Sequence, residues 1–460
     1  MFSYMRQGKE FYRNMFRLAL PIILQNLVTT SLALVDTFMV GMLGEGPLAG
    51  VTNANTPIFV VLLLIFGVQS GSTVLISQYW GRRDEEAINR VLGVGIYVAG
   101  ALSTLFALVL CFGSGPFMAL FCNDAEVAAY AAQYGRIVGF SYAFNSVTQV
   151  YIAAQRSMGN PELGLGVLSI SMCANTFLNW VFIFGNLGAP ALGVEGAALA
   201  TLCSRIIEFV VTVTYALCNK RFKLRLRAVL CPGLETVKRF AQYATPVVLN
   251  ETLWGLGTSL YPTIMGHMAG SKEILAAYAV AGNVEKVCTV AVMAVAATTA
   301  IIIGETVGAG ETERARELGK VTDTVAFLLG AAFGALAIAL VHLVVAPVVY
   351  PLFKLSAAAG RIATMMLTVT FVILPIQGFN TTNVVGVLRG GGDVTAAALI
   401  DLSPLWVVGV PLAAVVGLVW RLDVLWVCVV RAVEQFARAT LGAIRLRSGK
   451  WVRDVTRREV

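Results

Sequence analysis

The chain has 460 residues, of which 57% are hydrophobic and only 13% are charged, and its formal net charge is +8. A soluble globular chain carries about twice that charged fraction, so the composition excludes an ordinary soluble domain and indicates many membrane helices. The basic residues concentrate in the connections between apolar runs, where the positive-inside rule accounts for them. We therefore expect these basic residues to lie beside a lipid bilayer, and we do not expect the protein to bind nucleic acid.

Twelve apolar runs, each long enough for a membrane helix, follow one another along the chain. The connections at even positions are rich in Lys and Arg, whereas the odd ones are nearly free of them and MLGEGP has none, so both termini are predicted to be cytoplasmic. We predict an all-α polytopic membrane protein of twelve transmembrane helices, with spans at 17–42, 51–80, 88–112, 126–153, 161–185, 194–218, 238–265, 273–303, 319–346, 360–386, 394–419 and 423–446.

The second half of the chain repeats the first. LPIILQNLVTTSLALVDTFMVG is followed by a second copy that begins at Thr245, in which Pro246 corresponds to Pro21 and Gly266 to Gly41 at one constant offset. The matching connections fall on the cytoplasmic side in both halves, which indicates parallel repeats of six helices, as in transporters. We predict an N-terminal lobe (1–218), a basic cytoplasmic linker (219–237) and a C-terminal lobe with a short basic tail (238–460).

Four polar residues in the first lobe fall at similar predicted depths. Asp36 lies ~28 Å from the cytoplasmic edge, counted at the helical rise, and an intramembrane carboxylate is a functional candidate by default. Asn175 and Asn179 share one helix face, and Thr201 lies at a comparable height. These oxygens suit Na⁺ or an exchangeable proton. The alternative is an interfacial acid beside amides that hydrogen-bond neighbouring helices.

Two further acids, Glu251 and Glu285, are predicted near the middle of the membrane in the second lobe. A charge at this depth costs ~2.5–3.5 kcal/mol or more when it is unpaired, so one of them is expected to hold a proton, unless a base such as Lys286 pairs with Glu285. Trp254, Tyr261, Tyr278 and the Met residues near 265–293 could line a cavity for flat aromatic cations, or simply pack. The candidate set for cation coupling or substrate binding in this lobe also includes Asn283, Gln377 and Asn380.

Several motifs together resemble the MATE family of multidrug and toxic-compound extrusion transporters. They are the first apolar run, GVQSGSTVLISQYWGRRD, AAQRSMGNPE, FLNWVFIFG, VLRGGGD and the terminal RLRSGKW. The resemblance implies two six-helix lobes and export of organic, often cationic, compounds in exchange for Na⁺ or H⁺. It also supports the set of Asp36, Asn175, Asn179 and Thr201, although Asn179 replaces a second acid of many members. The family's acid in helix ten is absent here, where Gln377, Asn380 and Asn383 stand.

The sequence thus predicts an antiporter in a bacterial cytoplasmic membrane that exports organic, cationic or amphipathic small molecules by alternating access. We expect a monomer with no cofactor other than its coupling ion, H⁺ or Na⁺. The alternative is a flippase for lipid-linked saccharides, which the mainly acidic mid-depth charges disfavour. An enzyme is not expected, because no nucleophile with its base and no histidine cluster is visible. No nucleotide-binding GxxxxGK[ST] motif occurs, so ATP is not the expected energy source.

Overall fold

The computed structural model of the protein describes residues 7–120, 124–353 and 355–457. Of the two predicted lobes, residues 1–6, 121–123, 354 and 458–460 lie outside the described residues. Twelve long helical segments, each overlapping one predicted span, confirm the all-α fold. They are α1 Lys9–Gly41, α2 Glu45–Gly81, α3 Glu85–Ala119, α4 Ala125–Ser157, α5 Glu162–Phe184, α6 Val194–Cys218, α7 Leu234–Gly266, α8 Ser271–Gly308, α9 Thr312–Val349, α10 Ala357–Val372 with Leu374–Leu388, α11 Val394–Val419 and α12 Val424–Ser448.

Most of these helices are membrane spans by their length and apolar character. Within the described residues, eight meet both criteria, and the two pieces of α10, bent by 54° where they join, meet them together, as a broken span or a re-entrant loop. The remaining three, α4, α7 and α12, are more polar; α12, for example, carries Arg431 and Glu434 within its length. Large apolar side chains are exposed on outer faces, among them Phe38, Leu105 and Phe112. A bilayer covers such a surface, as expected for a multi-pass membrane protein.

Short polar residues begin several helices. The Asp84 carboxylate accepts a hydrogen bond from the backbone of Ala87 at 3.0 Å, and Asp423 accepts from Leu425 at 2.9 Å. At the other end, Gly185 closes α5 with a φ of 73°, a left-handed conformation that glycine adopts without strain. These caps satisfy backbone groups that the helix itself leaves unpaired.

The chain forms two compact units. One comprises residues 21–248, and the other comprises residues 1–20 and 249–460; we call them unit 2 and unit 1. The divisions fall inside α1 and α7, beside the equivalent prolines Pro21 and Pro246. The predicted linker, 219–237, is held against unit 2: Asn89 of α3 donates to the Lys223 carbonyl at 3.2 Å, and Tyr97 donates to the Leu230 carbonyl at 2.9 Å.

The C-terminal tail packs against the glycine-rich turn that follows α10. Trp451 is fully buried, and a Cβ at Gly391 would lie only 2.4 Å from its ring, so the turn needs glycine there. Asp393 accepts a hydrogen bond from Arg445 Nε at 2.7 Å, and Arg453 N donates to the Gly391 carbonyl at 2.7 Å. Two motifs that the sequence analysis singled out, VLRGGGD and the terminal RLRSGKW, are therefore in contact.

Replacing Trp451 with Ala should destabilise unit 1 by about 3–5 kcal/mol, because the substitution empties a fully enclosed aromatic site. The measurement is thermal unfolding of the detergent-solubilised protein. Trp420→Ala is the matched control, since that ring is 60% exposed and its loss should barely change the unfolding temperature. Equal shifts in the two variants would contradict the prediction.

Candidate functional site

The site in unit 2 is built around Asp36 on α1 and two asparagines on α5. Asn179 Nδ2 donates to Asp36 Oδ1 at 2.6 Å and to Asn175 Oδ1 at 3.1 Å. Both asparagines are buried, with 1% and 2% exposure, whereas Asp36 is half-buried. The structure therefore brings together three of the four predicted residues, with the carboxylate at the accessible end.

Thr201, the fourth predicted residue, lies on α6 next to this chain of polar groups. Asn175 Nδ2 lies 3.5 Å from Ser204 Oγ, and the Ser204 hydroxyl donates to the Thr201 carbonyl at 2.9 Å. The Thr201 hydroxyl itself donates to the Ala197 carbonyl at 3.0 Å. The link from Asn175 to Thr201 thus runs through Ser204, which the sequence analysis did not name.

An ion pair lies beside the site. Arg205 Nη1 lies 2.6 Å from Glu208 Oε2, which confirms the pairing that their spacing on α6 permits. Glu208 is fully buried and also accepts from Ser171 at 3.1 Å and Gln149 at 3.3 Å. Arg205 is near enough to act electrostatically on Asp36. Glu208 is therefore neutralised locally, while Asp36 is hydrogen-bonded to an amide.

One oxygen at the site lacks a partner. Asn179 Oδ1 is buried and forms no hydrogen bond in the described part of the chain. A buried amide oxygen without a partner costs free energy, and a cation or a protonated acid would satisfy it. The site can therefore balance one positive charge, through the Asp36 carboxylate. It also offers one acceptor oxygen, Asn179 Oδ1, that has no hydrogen-bond partner among the described residues.

In unit 1, Glu251 on α7 contacts Arg389, which directly follows α10. Its Oε1 lies 2.6 Å from Arg389 Nη1, and the two side chains are 12% and 3% exposed. The sequence analysis considered Glu251 without naming this base, which is remote in the chain.

Glu285 on α8 also lies beside an arginine, at 3.7 Å from Arg431 of α12. Both line a small cavity with Tyr278, Met265 and Met366. The Arg431 guanidinium lies 5.8 Å from the centre of the Tyr261 ring. Glu285 and Tyr278, two of the predicted residues, thus share a cavity wall, and the partner of Glu285 is Arg431, not the alternative base Lys286.

A third polar group in unit 1 was only partly anticipated. Arg438 contacts both Glu434 at 2.8 Å, as their spacing predicts, and Asp401 at 3.0 Å. Asp401 also accepts from Asn250 at 2.9 Å, and Tyr261 donates to Glu434 at 2.6 Å. From the sequence, Asp401 had no identifiable partner, because its partners lie on α7 and α12.

The remaining predicted residues of unit 1 differ in burial and in their partners. Asn380 is buried and donates to the Gln435 side chain at 2.9 Å, Asn283 is exposed, and Gln377 and Trp254 are half-buried. Trp254 packs against the core of unit 1. The hydrogen bonds that join Asp36, Asn179 and Asn175 in unit 2 thus have a counterpart in unit 1 only for Asn380, whose partner is Gln435 among the described residues.

Comparisons with known proteins agree with this architecture. The sequence model of the family described as MatE matches residues 21–181 and 246–415. A relative from Bacillus subtilis, "Probable multidrug resistance protein YoeA", is 25% identical over 91% of this chain and 89% of its own length. "Probable multidrug resistance protein NorM" of Thermotoga maritima is 23% identical over 96% and 93%.

The fold is also that of solved transporters. A structure described as "Crystal structure of MATE in the bent conformation" aligns with a TM-score of 0.84 at 19% identity, covering 97% of both chains. At this identity the likeness establishes the fold alone.

Proposed function

The chain belongs to the MatE family, and from this premise we propose that it is a secondary active efflux transporter. It exports organic, cationic or amphipathic compounds across a bacterial cytoplasmic membrane in exchange for H⁺ or Na⁺, by alternating access and with both termini in the cytoplasm. The curated relatives named as multidrug resistance proteins support this proposal, as do the exposed apolar faces that suit a bilayer.

The contact between Asp36 and Asn179 is the observation that carries the coupling mechanism. Glu251, Glu285 and Asp401 each lie beside an arginine, whereas the Asp36 carboxylate is half-buried and bonded to an amide. A carboxylate without its own fixed cation gains most from binding a mobile one. Asp36 is therefore the group we assign to coupling.

The geometry suggests how binding there is arranged. Asn179 fixes the orientation of Asp36 through the 2.6 Å hydrogen bond, and Asn175 in turn holds the Asn179 amide. A bound cation neutralises the single carboxylate and can use the unpartnered Asn179 Oδ1. Entry of this cation from outside favours the outward-facing state and release of the compound. When the cation leaves to the cytoplasm, Asp36 is negatively charged again and the next transport cycle can begin.

The proposal is tested by efflux of a fluorescent aromatic cation from proteoliposomes under separate Na⁺ and pH gradients. We expect one of the two gradients to drive efflux above the level of protein-free liposomes. If neither does so with folded protein, the export of organic cations is contradicted, and a lipid-linked saccharide would be the next substrate class to test.

Replacing Asn179 with Asp should make efflux more sensitive to the membrane potential. The variant places a second carboxylate beside Asp36, so up to two monovalent cations can be bound where the wild type balances one charge. The measurement is the efflux rate at potentials clamped with potassium and valinomycin, compared with the wild type. Asn14→Asp, a change at an exposed asparagine near the start of α1, is the control and should leave the potential dependence unaltered. An unchanged dependence in Asn179→Asp would count against Asp36 as the coupling group.

A further inference from the structure

Asp323 on α9 is a fully enclosed acid that neither the family match nor the Asp36 site accounts for. Its side chain is 1% exposed, and it lies one turn beyond the exposed Lys320 at the inner end of the helix. Asn383 Nδ2 of α10 donates to Asp323 Oδ2 at 2.7 Å. Among the described residues, this is the one hydrogen bond that the Asp323 carboxyl group forms.

Two oxygens of this same pair have no partner. Asp323 Oδ1 and Asn383 Oδ1 are both buried and form no hydrogen bond among the described residues. An ionised carboxylate cannot satisfy Asn383 Oδ1, because both oxygens are acceptors. One proton on Asp323 Oδ1 removes both deficits: the acid then donates to Asn383 Oδ1, while the amide donates to Asp323 Oδ2. This is the two-bond ring that a carboxylic acid forms with a primary amide.

The packing around the pair keeps water away. Asp323, Ala326, Gly330 and Gly334 are buried on α9 at helical spacing, so they share one face. A Cβ at Gly330 would lie 2.7 Å from the Leu374 carbonyl oxygen of α10, which brings the two backbones together. Across the pair, a Cβ at Gly442 of α12 would lie 2.7 Å from Asn383 Oδ1.

No base compensates an ionised Asp323 within the described residues. Charged side chains occur on α9 itself and on every element around its inner half, but none of them contacts Asp323. They include Glu313, Arg314, Arg316, Glu317 and Lys320 on α9, Glu285, Lys286 and Glu305 on α8, Arg361 and Arg389 on or beside α10, Arg13 and Arg17 on α1, Arg431, Glu434, Arg438, Arg445 and Arg447 on α12, and Asp393 and Arg453 near the tail. A buried charge without a partner is costly, so the neutral acid is the stable form.

We propose that Asp323 is a proton-binding site of unit 1, in which the protonated carboxyl group and the Asn383 amide form a paired ring between α9 and α10. The site is separate from Asp36 and does not depend on the proposed coupling there. Loss of the proton would leave an unpaired charge where the two helix backbones touch. The bound proton therefore stabilises the contact between α9 and α10.

The test is infrared spectroscopy of the purified full-length protein at neutral pH, without any transport assay. The wild type should show a carbonyl stretch of a protonated carboxylic acid that shifts in D₂O, and the Asp323→Asn variant should lose this component. Asp401→Asn is the matched control. Asp401 is a buried acid of the same unit, but it forms an ion pair with Arg438 at 3.0 Å, so its replacement should leave the band intact.

Identical spectra of the wild type and Asp323→Asn would overturn the proposal, as would a wild-type spectrum without the band, which indicates an ionised or cation-bound Asp323. If Asp323→Asn does not fold, Asn383→Ala serves instead. That variant removes the acceptor of the acid proton, so the band should move to higher wavenumber and keep its amplitude. A band unaffected by Asn383→Ala would equally contradict the pairing.

Discussion

Replacing Asp36 with Asn is expected to reduce ion-driven efflux to the rate of protein-free liposomes. The substitution preserves the shape of the side chain but removes the negative charge that a coupling cation neutralises. In its place stands an amide that neither binds a proton at neutral pH nor attracts Na⁺. The measurement is the initial rate of dye efflux from proteoliposomes under whichever gradient drives the wild type.

Two comparisons separate loss of coupling from loss of structure. Glu45→Gln, at an exposed acid in the first turn of α2, should retain the wild-type rate. The Asp36→Asn variant should still bind the dye and unfold at the temperature of the wild type, because Asn179 keeps a hydrogen-bonding partner. If Asp36→Asn continued to couple efflux to the gradient, the assignment of Asp36 would be wrong.

The helices were predictable because each apolar run is long and the charges fall between the runs. The bend in α10 illustrates where sequence reasoning stops. Pro375 can bend its helix by removing a backbone hydrogen bond, and the second piece of α10 does begin at Leu374 after a 54° bend. Pro21, by contrast, lies inside α1 without ending it. A proline indicates where a bend is permitted, whereas packing decides whether the helix breaks.

In the candidate sites, contacts within one helix could be predicted from the sequence, whereas contacts between residues far apart in the chain could not. Arg205–Glu208 and Glu434–Arg438 follow from spacing on a single helix, so the sequence alone predicts them. Asn250 and Asp401 are separated by 151 residues and meet only through the packing of α7 against α11. The sequence analysis did not single out Asp323, because its enclosure depends on Asn383 of α10, which is 60 residues away in the chain.

Asp36 of unit 2 and Glu251 of unit 1 are therefore held by different kinds of partner. In unit 2, Asp36 lies at the accessible end of an amide network, and the arginine nearby is already engaged by Glu208. In unit 1, Glu251 lies against its own arginine. A carboxylate that is held by a fixed cation contributes to packing, and it is poorly suited to binding a mobile ion. We accordingly expect Glu251 to matter for stability, in contrast to Asp36.

Arg389→Met is expected to destabilise unit 1 by about 3–5 kcal/mol, because it leaves the Glu251 carboxylate buried without its 2.6 Å partner. The double variant Glu251→Gln with Arg389→Met should recover most of this loss, since it removes both charges together and an apolar or neutral replacement of a buried pair is often close to neutral. Thermal unfolding in detergent measures both losses.

Arg314→Met is the matched control on an exposed ion pair. Arg314 lies 2.8 Å from Glu311, with 66% and 48% of the two side chains exposed, and the loss of this pair should cost at most about 1 kcal/mol. A double variant as unstable as Arg389→Met would show that Arg389 acts through its other contacts, and the stabilising role assigned to the Glu251–Arg389 pair would be withdrawn.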